Sequence, residues 1–180
     1  SVQPLWLARA QGLDEAQARK LTDWGELDWD RGAVRLRRPG MALTFNGIAQ
    51  GWAADQLAQV AVQHDLGAVL IDSGEQRGLG PRDWDTGIAN PDGTLLRRMR
   101  LRERALATSS GMGTKIGPQG DLPHILDPRG DRLPHGTVAV SAPSAALADG
   151  LSTAFCVMDR ASIDAALARL PGCRLEILQG

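Results

Sequence analysis

"TVAVSAPSAALADGLSTAFCV", residues 137–157, passes in 21 residues from an apolar strand through a Pro-Ser turn into an apolar helix. The β-branched run at 137–142 predicts a short strand. Ser144 is placed as N-cap of a helix running from about Ala145 to Met158. On a helical wheel Leu147, Leu151, Ala154, Phe155 and Met158 share one side, while Asp149 and Thr153, at i and i+4, share the other. Burying a lone carboxylate in such a helix costs several kcal/mol, roughly, unless something compensates it. Two readings stay open. The pair is a hard-oxygen ligand set suited to Mg²⁺, or it lies on a solvated face with Thr153 bonded back to its i−4 carbonyl.

Working outward, "GAVLID" (67–72) reads as a buried strand ending in a Ser73-Gly74-Glu75 turn. "WDTGIAN" (84–90) and "LLRRMRLRERALATS" (95–109) read as strands. In the second, Met99 and Leu101 alternate with Arg98, Arg100 and Arg102, so the arginines form a wet face. "HILDP" (124–128) and "CRLEILQ" (173–179) are further strand candidates, and "AVRLRRPGMALTF" (33–45) predicts two strands around Pro39-Gly40. Helices are expected at 14–22, from Gln50 to His64, and at 161–171. Strands outnumber helices without alternating regularly with them, which predicts an α+β sheet with packed helices.

The chain has 180 residues, is 43% apolar, and sets 20 Lys plus Arg against 21 Asp plus Glu. That is enough for one full core, and a net charge of −1 gives no field to draw nucleic acid or a membrane surface. The longest apolar stretch, 138–158, is broken by Pro143, Asp149 and Gly150, so it is not a bilayer span. Cys156 and Cys173 have no C-x-x-C partner spacing, which argues against zinc and leaves a disulfide undecided. Cys156 reads as a packing residue, and His64 and His135 as surface residues without a motif.

Two further stretches can carry chemistry. In "LTFNGIAQGWAAD" (43–55), Asn46, Gly47 and Gly51 surround a helix start, where backbone can approach a ligand and the dipole favours phosphate. An ordinary strand-to-helix turn would look the same. In "HILDPRGDRLP" (124–134), His124 precedes Asp127 by three residues and is a candidate general base near neutral pH.

Taken in order, "VQPLW", "NGIAQGWAAD", "LIDSGEQRGLG", "WDTGIANP", "LATSSG", "HILDP" and "ADGLSTAF" resemble the ApbE family of FAD:protein FMN transferases. The resemblance implies a T-fold-like mixed or antiparallel sheet with packed helices. It also implies that residues 1–180 form one ApbE-like unit, the C-terminal portion of the family domain, without the N-terminal part that helps to enclose the isoalloxazine. The implied reaction is Mg²⁺-dependent: FAD is cleaved at its pyrophosphate, AMP leaves, and FMN is linked to a threonine of an acceptor protein. By the same resemblance Asp149, Thr153 and the Gly47 carbonyl hold Mg²⁺, His124 takes the acceptor proton, and Thr44, Gly47, Gln50 and Ile125 contact the flavin nucleotide.

The family pattern, close to D-x-G-x-x-x-K-G, usually has an acidic residue where Thr44 stands and lysine where Gln50 stands. Gln50 can hydrogen-bond a nucleotide but brings no positive charge. The wording of "NGIAQG" and "GEQRGLG" is similar to a branch associated with nitrous oxide respiration. That implies a membrane-bound electron-transfer protein as acceptor and a periplasmic, or periplasmically membrane-attached, location. Two rival functions remain open: flavin binding without transfer, and hydrolysis of FAD to FMN and AMP.

Overall fold

The computed structural model describes residues 2–130 and 133–180. In chain order the first elements are α1 (Gln3–Gln11), α2 (Glu15–Arg19), β1 (Leu27–Trp29), β2 (Val34–Leu36), α3 (Ala49–Gln63), β3 (Val69–Asp72) and β4 (Gln76–Leu79). Then come β5 (Trp84–Ala89), β6 (Leu95–Leu101), β7 (Ala105–Ser109), β8 (Lys115–Ile116) and β9 (Leu122–Pro123). β10 (Thr137–Ala142), α4 (Ala145–Phe155), α5 (Arg160–Ala168) and β11 (Arg174–Gln179) complete the chain.

Five strands form the central sheet in the order β11-β10-β7-β4-β3, and every pairing in it is antiparallel. β10 is buried along its whole length. Its alternate residues serve two layers: Val138, Val140 and Ala142 face the helices, and Ala139 faces the β5–β6 hairpin. Ala105 and Ala107 of β7 likewise meet α3 and α4, whereas Leu106 meets Ile88 and Leu101 of the hairpin. The layer between sheet and helices is built from Ala54, Ala58, Ala61, Ala145 and Ala148. Such small side chains let backbones come close.

The contact between α3 and α4 sets the site. Ser144 caps α4 as its sequence predicts, its Oγ accepting from Leu147 N at 3.3 Å. Asp55 of α3 adds a second cap from across the interface, its carboxylate accepting from Ala145 N at 2.8 Å and Ala146 N at 2.9 Å. Arg77 of β4 lies 3.6 Å from the same carboxylate.

Several sequence expectations are corrected. Of the two strands predicted at 33–45, only β2 forms, and it pairs with β1 rather than across Pro39-Gly40. Residues 41–45 have no partner strand; the chain turns there, Asn46 N bonding Thr44 Oγ1 and Ala49 N bonding the Phe45 carbonyl. Residues 124–128 are not a strand: Pro128 removes a donor, and the short ladder lies just upstream in β8 and β9. β3 is an edge strand with only Ile71 buried, not a strand covered on both faces. Unforeseen α1 buries only Leu5 and Ala8, so its periodicity is faint.

The arginine face of β6 is wet as predicted: Arg97, Arg98 and Arg100 are exposed and Leu101 is buried, with Arg97 paired to Glu176. Both cysteines are free thiols. Cys156 is buried, and that burial pushes its thiol up to about 12, as suits an inert packing residue. His64 is exposed, but His135 is half-buried with Nε2 bonded to the Met158 carbonyl at 3.0 Å. Among the described residues no helix is long and apolar enough to cross a membrane.

Candidate functional site

One cavity of about 420 Å³ opens between the N-terminus of α3, the middle of α4, the end of β7 and the loop at 124–126. Thr44, Gly47, Gln50, His124, Ile125, Asp149 and Thr153 all line it, so the site residues that the resemblance implies converge here, whereas Gly51 and Asp127 are not part of the lining. Trp6, Glu75, Ser109 and Ser110 line it as well. Among the described residues no lysine or arginine does.

Asp149 is 4% exposed, which rules out the solvated-face reading of its helix. The fully buried stripe of α4 is Ala145, Ala148, Asp149, Ser152 and Phe155, so the carboxylate sits on the stripe facing α3, not opposite it. Its Oδ2 accepts from Gly51 N at 3.0 Å. That N–H lies in the first turn of α3, where donors lack intrahelical partners and the dipole favours a negative charge. The helix start therefore spends this N–H on Asp149 rather than offering it to a phosphate. Burial raises the Asp149 carboxyl above its ordinary value, and the Gly51 bond pulls against that shift.

Thr153 does not bond back to its i−4 carbonyl; its hydroxyl belongs to a chain whose direction can be fixed. Ser152 Oγ donates to the Asp149 carbonyl at 3.0 Å, which uses its only proton. Ser109 must then donate to Ser152 across 2.7 Å, so the 3.2 Å contact between Ser109 and Thr153 is donated by Thr153. The Thr153 oxygen is left with a lone pair, which a cation ligand requires. Gly47 lies against it: a Cβ there would come within 3.0 Å of Thr153 Cγ2 and 3.3 Å of Oγ1.

Similar accounting fixes His124. Its Nδ1 lies 3.1 Å from the Gly111 carbonyl and 2.9 Å from that of Thr114, both acceptors, so Nδ1 carries the proton and Nε2 keeps the basic lone pair. Gln50 lies over the β3–β4 turn, where a Cβ on Gly74 would meet its Nε2 at 2.6 Å. Gly74 has φ +99°, so this turn needs glycine twice over.

Glu75, which the sequence reading passed over as a turn residue, is 6% exposed, and its Oε2 is buried with no hydrogen-bond partner. Burial first, and then the charge of Asp149, push its carboxyl up to about 8. Its only sequence signal is its place directly after a strand-end glycine.

A folded pKa of about 8 against an ordinary 4.5 means that the folded protein holds the extra proton between those values. Stability is therefore fully present below about pH 4.5 and is lost as pH rises to 8, by on the order of 5 kcal/mol at most. Chelator-treated protein should lose urea midpoint steadily from pH 5 to 8, and Glu75→Gln should flatten most of that slope. Unchanged slopes in the two proteins would contradict the assignment.

The donors are all oxygens apart from one imidazole: a carboxylate, a hydroxyl with a free lone pair, a nearby backbone carbonyl and an orphaned carboxyl oxygen. Such a set fits a small hard cation. Among the described residues no three His, Cys, Asp or Glu side chains group as a metal site, so a cation here would rely on carbonyl, hydroxyl, water and ligand oxygens. Fold and cavity together define an α+β protein with an anionic, oxygen-lined cleft between two helix segments and a sheet. Residues 7–175 match the ApbE family, and the chain belongs to it.

An FAD:protein FMN transferase of Treponema pallidum is 29% identical, over 77% of this chain and 44% of that protein. The crystal structure of an ApbE protein from Thermotoga maritima superposes with a TM-score of 0.82 at 25% identity, covering 97% of this chain and 64% of the other. The apo flavinyl transferase ApbE of Pseudomonas stutzeri shares the fold at TM-score 0.70 and 24% identity, over 87% of this chain and 55% of its own. The chain thus spans less than two thirds of the length of each of these relatives.

Proposed function

We propose that the protein is a Mg²⁺-dependent FAD:protein FMN transferase that links FMN to a threonine hydroxyl of an acceptor protein and releases AMP. The observation that carries this reading is that Asp149, Thr153, Gly47 and His124 meet in one cavity that, among the described residues, no lysine or arginine lines. A pyrophosphate entering two buried carboxyls without a cationic side chain needs a cation to come with it. Asp149, the Thr153 oxygen and the Gly47 carbonyl would hold that cation. Bound there, Mg²⁺ supplies Lewis-acid polarisation of the phosphoryl oxygens and neutralises charge on the departing AMP.

The chain's own residues do the rest. The acceptor threonine oxygen forms a bond to the FMN-side phosphorus as the bond from that phosphorus to the AMP oxygen breaks. His124 Nε2 takes the hydroxyl proton, its ring held in the productive tautomer by the Gly111 and Thr114 carbonyls. Thr44, Gln50 and Ile125 line the same cavity, where they would contact the nucleotide. A membrane-bound electron-transfer protein on the periplasmic side is the acceptor that the sequence resemblance favours.

His124→Gln should slow FMN transfer by about 10²–10⁴-fold, the range of a lost general base, while leaving cation binding unchanged. Mass spectrometry of an acceptor domain, with AMP followed by chromatography, checks this. AMP released equally with and without acceptor, and no mass gain on the acceptor, would favour hydrolysis. Flavin retained without AMP would favour a binding role, the outcome to which the uncharged Gln50 points.

A further inference from the structure

We propose that Glu75 is a further ligand of the divalent cation, its carboxylate binding directly or through one coordinated water in the cavity that Asp149 also lines. This rests on the cation reading above and extends it to a residue outside the Gly47, Asp149 and Thr153 set.

The geometry has three parts. First, the turn at 73–75 is built to send this side chain inward. Ser73 N bonds the Glu75 carbonyl at 3.2 Å, Gly74 adopts a left-handed φ, and the Gln50 amide covers the place where a side chain at 74 would stand. Glu75 lines the cavity as a result, more than nine-tenths buried. Second, the carboxyl is only partly satisfied. Its Oε2 has no partner although it is sealed from bulk water. A buried oxygen of that kind normally has one.

Third, among the described residues the lining offers no lysine or arginine to pair with an ionised Glu75. The charge that acts most strongly on Glu75 is another carboxylate, Asp149. Two carboxylates aimed into one oxygen-lined space are electrostatically unfavourable alone and favourable around a divalent ion. A purely structural role predicts the opposite arrangement, with both carboxyl oxygens capped by protein donors.

The test is titration of the whole protein with MnCl₂ without flavin, free Mn²⁺ being read from its electron paramagnetic resonance signal. Wild type, Glu75→Gln, Glu75→Asp and Asp149→Asn are compared. Glu75→Gln keeps the shape and removes the charge, so Mn²⁺ affinity should fall about 10–100-fold while the metal-free melting temperature holds or rises. Glu75→Asp, which keeps the charge but withdraws it by one methylene, should fall between. The rise in melting temperature on adding Mn²⁺ should shrink in the same order.

Wild-type affinity in Glu75→Gln, with binding lost in Asp149→Asn, would overturn the role of Glu75 and leave the Asp149 site standing. Wild type taking up no Mn²⁺ would overturn both.

Discussion

Asp149→Asn is expected to abolish AMP release and FMN transfer, by at least about 10³-fold, in a protein that still folds. The substitution isolates charge from shape. Asparagine matches the volume of aspartate, and its side-chain oxygen can still accept the Gly51 N–H that Asp149 Oδ2 accepts at 3.0 Å. What disappears is the anion, and with it the principal hold on a divalent cation. Lewis-acid stabilisation of a phosphoryl transition state is worth several kcal/mol, and each 1.36 kcal/mol is tenfold in rate, which sets the size of the effect.

Stability should move the other way or not at all, because a carboxylate that is 4% exposed and raised by burial costs the fold something when ionised. Turnover is measured as AMP formed per enzyme, and integrity by the urea midpoint. Treating wild type with a chelator should reproduce the variant's residual rate. An Asp149→Asn protein that keeps more than a tenth of wild-type turnover would sink the cation assignment.

Much of this site was legible in the sequence because its parts are short and local. Strand 137–142, the Ser144 cap and the helix after it follow from β-branched residues, a capping hydroxyl and an apolar run, and together they place Asp149 and Thr153. The wet arginines of β6 follow from alternation. Helix α3 forms where apolar spacing puts a helix, although its buried face is Gly51, Ala54, Ala58 and Ala61 while the larger Leu57 and Val60 are exposed. The face of α4 that meets the sheet was misjudged for a physical reason. A wheel ranks faces by hydrophobicity and selects Leu147 and Leu151, but the α3–α4 contact is lined by alanine and glycine, whose merit is smallness.

Pairing partners were less accessible still. That β4 lies between β3 and β7, or that 41–45 finds no neighbour, depends on contacts between distant segments that no local pattern encodes. Glu75 was hidden by the same limit. A glutamate after Ser-Gly looks like an exposed turn until β7 and α4 are brought over it.

The second large effect concerns that smallness. Gly51→Ala is expected to destabilise the protein by about 3 kcal/mol or more, lowering its melting temperature by roughly 6–12 °C. In most helices alanine in place of glycine is a gain of about 1 kcal/mol, so the sign itself is diagnostic. A Cβ at position 51 would lie 2.5 Å from the Ala145 carbonyl carbon and 2.8 Å from the Ala146 Cα, with the Ala145 oxygen nearer still. These are backbone atoms of the first turn of α4, held by the Asp55 carboxylate and the Ser144 hydroxyl, and they cannot rotate away.

The two helices must separate, and separation draws the Gly51 N–H off Asp149, so cation affinity should fall along with stability. Gly150→Ala is the matched control in the same helix pair. Its new methyl would meet the Ile48 Cγ2 at 3.1 Å, the end of a side chain that can turn aside, and the Gly47 carbonyl oxygen at an ordinary 3.9 Å, so its urea midpoint should stay near wild type. Equal midpoints for the two variants would mean that the α3–α4 contact has slack. In that case Asp149 would not owe its position to the missing side chain at 51.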